Sequence, residues 1–188
     1  MKKMLFSVVA SSFLLIGSLS AKEYVIDSAH TNISFKIKHM QISNVKGSFS
    51  DFEGVLDFDL DTKTINKLEG IVKISSVNTN NEGRDEHLKE ADFFEVEKFP
   101  EMKFIMTEFI GEDGNEEGII KGDLTIKDVT KQVSFEYNFG GVVTDEKVDK
   151  IGFSLEGKID RTEFNVGTSG PALGSKVDLE LEIEANAI

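Results

Sequence analysis

Apolar and polar residues alternate along most of this chain. Ile33, Phe35 and Ile37 alternate with Ser34, Lys36 and Lys38, and Leu56 and Phe58 with Asp57 and Asp59. The last such run sets Val177, Leu179, Leu181 and Ile183 against Asp178, Glu180, Glu182 and Glu184. Period-two alternation predicts strands with one buried face. The runs number about eight, and they predict antiparallel strands. A parallel sheet would show continuous apolar runs with helices between them. Such a sheet packs its apolar face on a second sheet or closes into a barrel. At eight strands a closed barrel holds either its own side chains or one small ligand. The expected lumen residues are Phe35, Ile37, Phe49, Leu56, Phe58, Val72, Ile74, Met102, Phe104, Met106, Leu124, Phe135, Tyr137, Phe153, Leu155, Leu179 and Leu181.

Gly47, Gly54, Gly70, Gly122 and Gly157 fall on the same inward parity. Inward glycines leave space in a lumen or mark sharp coiling of the sheet, and parity does not choose between them.

One stretch breaks the alternation. In Asn81–Phe94, Leu88, Ala91 and Phe94 recur at helical spacing and share one face of a short helix. Asn80 or Asn81 caps its start and Pro100 lies beyond its end, while Gly83 weakens it. The fold class is therefore all-β, with a helical insertion around residues 81–94 that covers one end of the body.

The first residues stand apart from this body. Lys2 and Lys3 precede an uncharged, mostly apolar segment, Met4–Leu19, and small residues lead to Lys22-Glu23. This predicts a secretory signal peptide over residues 1–21, cut near Ser20 or Ala21, with the folded domain over 22–188 and a periplasmic location. The alternative is an uncleaved membrane anchor, against which stand a length below the usual ~20 apolar residues and the breaks at Ser11, Ser12 and Gly17. There is no cysteine, so the fold rests on its core, which fifteen Phe make phenylalanine-rich. The net charge is −13, and about −15 once Lys2 and Lys3 are removed. So acidic a domain is expected to repel nucleic acid and anionic membranes, and solubility is the plain reading of the charge.

Little in the chain points to chemistry. His30, His39 and His87 lack metal-ligand spacing, so no metal site is expected. Asp27-Ser28-Ala29-His30 suggests a catalytic triad, but no Gly-x-Ser-x-Gly elbow accompanies it, and a turn is the better reading. The glycine-rich run Gly167–Lys176 leads into a strand rather than a helix, so it reads as a loop closing one rim. Arg84 and His87 sit on the helical insertion and, with His39, are candidates for a polar mouth. The plain alternative is that Arg84 pairs with Asp85, Glu86 or another carboxylate and anchors the insertion.

Several motifs occur in order along the chain. They are Tyr24-x-Ile26-Asp27-x-x-His30, Ser76-Val77-x-Thr79, Arg84-Asp85-x-His87-Leu88 with Asp92-Phe93-Phe94, and Pro100-x-x-x-Phe104. Gly122-x-Leu124-Thr125-Ile126 follows with Val129-Thr130-Lys131-x-Val133, then Gly152-Phe153 and Ile159-Asp160-Arg161-x-x-Phe164. In these the chain resembles the YceI-like family of exported lipid-binding proteins, with Asn165 where many members have Gly. The resemblance implies a lipocalin-like eight-stranded barrel, often paired as a homodimer, that carries or sequesters a polyisoprenoid, isoprenoid quinone or fatty acyl lipid. It implies no catalytic residues and no cofactor beyond the bound lipid. The acidic charge adds that the guest's head is neutral unless Lys36, Lys38, Arg84 or Lys176 gather at the mouth. Two rival readings are an enzyme acting on a lipid in the same cavity, and a filled barrel serving as a structural or interaction module.

Overall fold

The structure, a computed structural model, describes residues 22–112, 114, 116–145 and 149–188; the predicted signal peptide lies outside the described residues. Its strands are β1 (Lys22–Ile26), β2 (Asn32–His39), β3 (Ser43–Phe49), β4 (Phe52–Asp59), β5 (Thr64–Lys73), β6 (Val77–Asn78), β7 (Glu101–Ile110), β8 (Glu117–Ile126), β9 (Val129–Thr144), β10 (Asp149–Asp160) and β11 (Leu173–Ala187). Eight of them close an antiparallel barrel in the order β1–β4–β5–β7–β8–β9–β10–β11, with β11 paired back to β1. Closure is what the alternation requires, because it buries the apolar face and removes the open edges.

The other three strands extend one end of the barrel. β11 is long enough to serve two neighbours along one edge. Residues 185–187 pair with β1, and residues 173–182 pair with β2. β2 continues into β3, and β3 into the two-residue β6. Between β3 and β4 the chain corners at Ser50-Asp51, where Asp51 O accepts from Lys73 N at 2.9 Å.

The apolar side chains form two clusters. Tyr24, Leu56, Phe58, Ile65, Ile120, Tyr137, Ile151 and Phe153 fill one half of the barrel. Ile37, Ile126, Ile159, Phe164, Val166 and Val177 form a smaller cluster at the β2 end. In the filled half Tyr137 meets Phe109 edge to face at 5.4 Å, a favoured ring geometry. The buried Tyr137 hydroxyl has no hydrogen-bond partner among the described residues, and burial pushes its pKa up. An unpaired buried hydroxyl costs roughly 1–3 kcal/mol. Tyr137→Phe is therefore expected to raise stability by about 1 kcal/mol in urea melts. A loss of similar size would show that the hydroxyl is hydrogen-bonded in solution.

The insertion is shorter than its apolar spacing suggests. The helix, α1, spans Glu82–Lys89, and Asn81 caps it by accepting from Arg84 N at 2.9 Å. Ala91 is exposed, so the predicted Leu88–Ala91–Phe94 face does not form. The helix ends at Lys89, before Ala91 and Phe94, so the stripe leaves it after Leu88. Instead the chain after Lys89 runs through turns, with Glu95 at φ +53° and Phe94 N donating to Leu88 O at 3.1 Å.

Candidate functional site

Between the two clusters lies a cavity of about 560 Å³. Small-molecule sites span ~300–1,000 Å³. Its wall is mainly apolar. Of the expected lumen residues, Phe35, Ile37, Val72, Met102, Phe104, Leu124, Phe135, Leu155, Leu179 and Leu181 lie on it. The structure places the other seven elsewhere. Leu56, Phe58, Tyr137 and Phe153 belong to the filled half, with Met106 packed against them. Phe49 sits behind the wall, its ring 5.6 Å from Phe35 and 6.3 Å from Phe94. Ile74 is fully buried in a turn after β5. Both halves share one inward parity, and only one half is hollow.

The glycines explain part of the hollow. A Cβ on Gly47 would lie 2.4 Å from the Phe35 ring, one on Gly122 2.3 Å from the Phe104 ring, and one on Gly157 2.6 Å from the Phe135 ring. Each glycine thus receives a neighbouring ring, and a ring held over the sheet stays out of the cavity centre. Gly70 is different. It lies on the cavity wall, and a Cβ there would meet only Glu53 O, at 3.8 Å.

Alternation missed the wall residues that irregular backbone supplies. Leu88, Phe93 and Phe94 come from α1 and the turn after it. Val166, Ala172 and Leu173 come from the loop before and into β11, the rim loop foreseen at Gly167–Lys176. Arg161 holds that loop in shape. It is buried, and its guanidinium donates to the carbonyls of Val166 (2.7 Å), Thr168 (2.9 Å), Gly174 (2.9 Å) and Leu173 (3.2 Å). Burial lowers its pKa from the usual range. Asn165 has φ +58°, a left-handed conformation that Asn tolerates and Gly adopts freely.

Asp160, beside it, caps the turn by accepting from Thr162 Oγ1 (2.6 Å) and Thr162 N (3.0 Å), and these bonds hold its carboxyl at about 2. Asp59, hydrogen-bonded by Thr62 N at 2.9 Å, is lowered too. The unfolded chain binds protons at these groups more readily than the fold does. Their stabilisation is therefore present above the ordinary carboxylate range and is lost as pH falls from ~4 towards ~2. Asp160→Asn is expected to make that acid decline in Tm shallower.

The three polar candidates, Arg84, His87 and His39, all lie on the cavity wall. Arg84 Nε donates to Thr79 Oγ1 at 2.7 Å and its Nη2 to Thr79 O at 2.8 Å. Asp85 accepts from Thr79 N at 2.8 Å instead of pairing with Arg84. Among the described residues no carboxylate lies within ion-pair distance of Arg84, so the plain ion-pair reading does not hold. His87 Nε2 contacts Asp92 Oδ2 at 2.9 Å, and its ring meets Phe93 edge to face at 5.0 Å. Of the lysines weighed for the mouth, Lys36 and Lys176 turn to Asp178 and Asp160, at 3.3 and 3.4 Å.

Asp27–His30 is a turn, closed by Ala29 N to Asp27 Oδ1 at 3.0 Å and by His30 Nδ1 to Asp27 Oδ2 at 2.9 Å. Asp27, His30 and Glu184 bring ligand atoms within 4.8 Å of one another. Lys150 already bonds both carboxylates there and offsets one of their two charges.

The model of the YceI-like domain family matches residues 24–185. Protein YceI of Escherichia coli O157:H7 is 38% identical over 189 residues, covering 98% of this chain and 97% of that protein. The crystal structure of the Campylobacter jejuni YceI protein is 46% identical and superposes with a TM-score of 0.74, covering 85% of this chain and 95% of that one. A polyisoprenoid binding domain from Saccharophagus degradans, implicated in plant cell wall breakdown, shares the fold at 11% identity. Its TM-score is 0.65, with 90% and 100% of the two chains covered.

Proposed function

This chain belongs to the YceI-like domain family, and from that premise we propose that it carries or sequesters a long apolar lipid in the barrel. The guest class is a polyisoprenoid, an isoprenoid quinone or a fatty acyl derivative. The observation that carries this reading is the apolar cavity of about 560 Å³ between the two packed clusters. Burial of alkyl carbon there yields ~0.8 kcal/mol per CH₂, so a long chain is held without directional contacts. The fold shared with a polyisoprenoid binding domain supports the same guest class. Of the four cations weighed for the mouth, Arg84 alone lies on the cavity wall among the described residues, and Lys36 and Lys176 are ion-paired, so the cations do not gather there. Arg84 orients the guest by donating to an oxygen of a neutral head such as a quinone carbonyl, an alcohol or an amide. The guest itself is the only cofactor this reading calls for. The first 21 residues favour a periplasmic site, and pairing into a homodimer belongs to the same reading.

A binding role is favoured over catalysis. An enzyme working in this cavity would need a buried polar cluster. The His87–Asp92 pair is 59% and 61% exposed, and in the Asp27–His30 pair the imidazole is 60% exposed.

Native mass spectrometry of the protein purified from its own periplasm tests the proposal. The expected result is a retained isoprenoid or acyl lipid with a neutral head. Recovery of mainly polyprenyl phosphates would overturn the neutral head. A protein that arrives empty and fails to take up quinone or fatty acyl probes would overturn the guest altogether.

A further inference from the structure

The acidic residues are unevenly distributed. The chain has 34 of them, yet residues 28–50 contain none, and neither do residues 164–177. Beyond Glu23 these are its two longest acid-free stretches, and the fold brings them together. β2 pairs with the start of β11, and Met40 N donates to Ala172 O at 2.8 Å. His39 and Val45 of the β2–β3 hairpin, with Ala172 and Leu173 of the loop, line the cavity. The acid-free surface therefore stands at the cavity's edge.

The hairpin tip is built to hold apolar groups in water. Met40 and Gln41 have φ of +50° and +62°, and Ile42 N donates to His39 O at 3.1 Å. This is a tight turn with two left-handed residues, a place where Asn-Gly is usual. Here it carries Met40, 54% exposed, and ends in Ile42, 86% exposed. Behind the tip, Lys46 lies directly opposite Lys36, and Lys38 opposite Asn44. Among the described residues neither Lys38 nor Lys46 has an ion-pair partner, and both are exposed. The α1 side of the cavity carries the exposed Glu82, Glu86 and Glu90, which confines the basic approach to the hairpin side.

We propose that the β2–β3 hairpin docks this protein on an anionic phospholipid bilayer, with Met40 and Ile42 in the interface and Lys38 and Lys46 on the headgroups. A short apolar tip flanked by lysines gains from both burial and charge at such a surface. Screening over ~8 Å in physiological salt lets these local charges act despite the net negative charge. The contact proposed is that of a hairpin tip and its flanking lysines, a peripheral one; no helix among the described residues is long and apolar enough to cross a membrane. Its use, to pass a guest between bilayer and cavity, rests on the lipid-binding reading above. The docking surface does not.

Co-sedimentation of the full protein with vesicles tests this. One set contains about one-third phosphatidylglycerol in phosphatidylethanolamine, and the other is phosphatidylcholine alone. The expected result is partition to the anionic vesicles at low salt, weakened in about 0.5 M salt. Replacing Lys38 and Lys46 by Ser should lower that partition about fivefold per lysine, and Ile42→Ser should lower it further. All three positions are exposed, so the retained guest and Tm should not change. Equal partition of wild type and variants, no preference for the anionic vesicles, or no binding at all would overturn the docking. If the cavity proves to take no lipid, the vesicle result still stands on its own. A guest retained without vesicle binding defeats the docking alone.

Discussion

Gly70→Phe is expected to expel the guest while leaving the barrel folded. Gly70 lies on the cavity wall between the inward positions Leu68 and Val72 of β5. Its backbone φ is outside the left-handed range, so a side chain is accepted without strain. Apart from its two chain neighbours, a Cβ there comes no closer than 3.8 Å to another atom, so the ring has room to extend into the cavity. Phenylalanine also favours strands where glycine weakens them. The ring occupies space that several guest methylenes would use. Losing three of them at ~0.8 kcal/mol each weakens binding by roughly 50-fold. The measurements are retained lipid by native mass spectrometry and Tm by circular dichroism. Gly122→Phe is the contrasting variant, because its Cβ would lie 2.3 Å from the Phe104 ring and 2.6 Å from Ile105 O. That change is expected to unfold the barrel, not block it. Wild-type lipid content in folded Gly70→Phe would mean that the guest lies elsewhere.

Much of the barrel could be read from the chain because period-two alternation is a direct image of a sheet with one wet face. Phe35, Phe104, Leu124 and Leu179 were legible as wall residues for that reason. The same rule could not separate Phe104 from Phe153. Both point inward, and what distinguishes them is whether their half of the barrel is filled by neighbours from distant strands. That is a property of three-dimensional packing, absent from any local pattern. The glycines show a related limit. Parity marks Gly70 and Gly122 alike, but Gly122 receives the Phe104 ring from the neighbouring strand and Gly70 receives none. The cover was harder still. The cap was legible only as Asn80 or Asn81, of which Asn81 is the cap, and Phe93 reaches the cavity through turns that have no periodicity. Arg161 offered a signal only in its motif, Ile159-Asp160-Arg161. Its role depends on four carbonyls of a loop whose shape the sequence does not state.

Arg161→Ala should loosen the rim and release the guest faster. The buried guanidinium is the shared donor for the carbonyls of Val166, Thr168, Leu173 and Gly174. A hydrogen bond to a charged group is worth about 1.5–3 kcal/mol, and carbonyls at a rim recover part of that from water. A net loss of about 3 kcal/mol is expected, which lowers Tm by roughly 6–12 °C in a chain of this size. Arg161→Lys should restore little, because one ammonium cannot span a fan of four carbonyls. The effect reaches the cover as well. Gly167 N donates to Asp92 O at 3.0 Å, and a Cβ on Gly167 would lie 2.8 Å from Arg161 Nη1 and 2.9 Å from the Phe93 ring. Loop, guanidinium and Phe93 thus pack as one unit over the cavity. Once the guanidinium is removed, Phe93 loses its backing, and guest dissociation is expected to accelerate about tenfold or more, equivalent to ~1.4 kcal/mol. Stopped-flow transfer of a fluorescent acyl probe to acceptor vesicles, run below the Tm of the variant, measures this directly. A lower Tm with an unchanged release rate would mean that the rim loop supports the barrel without gating the cavity.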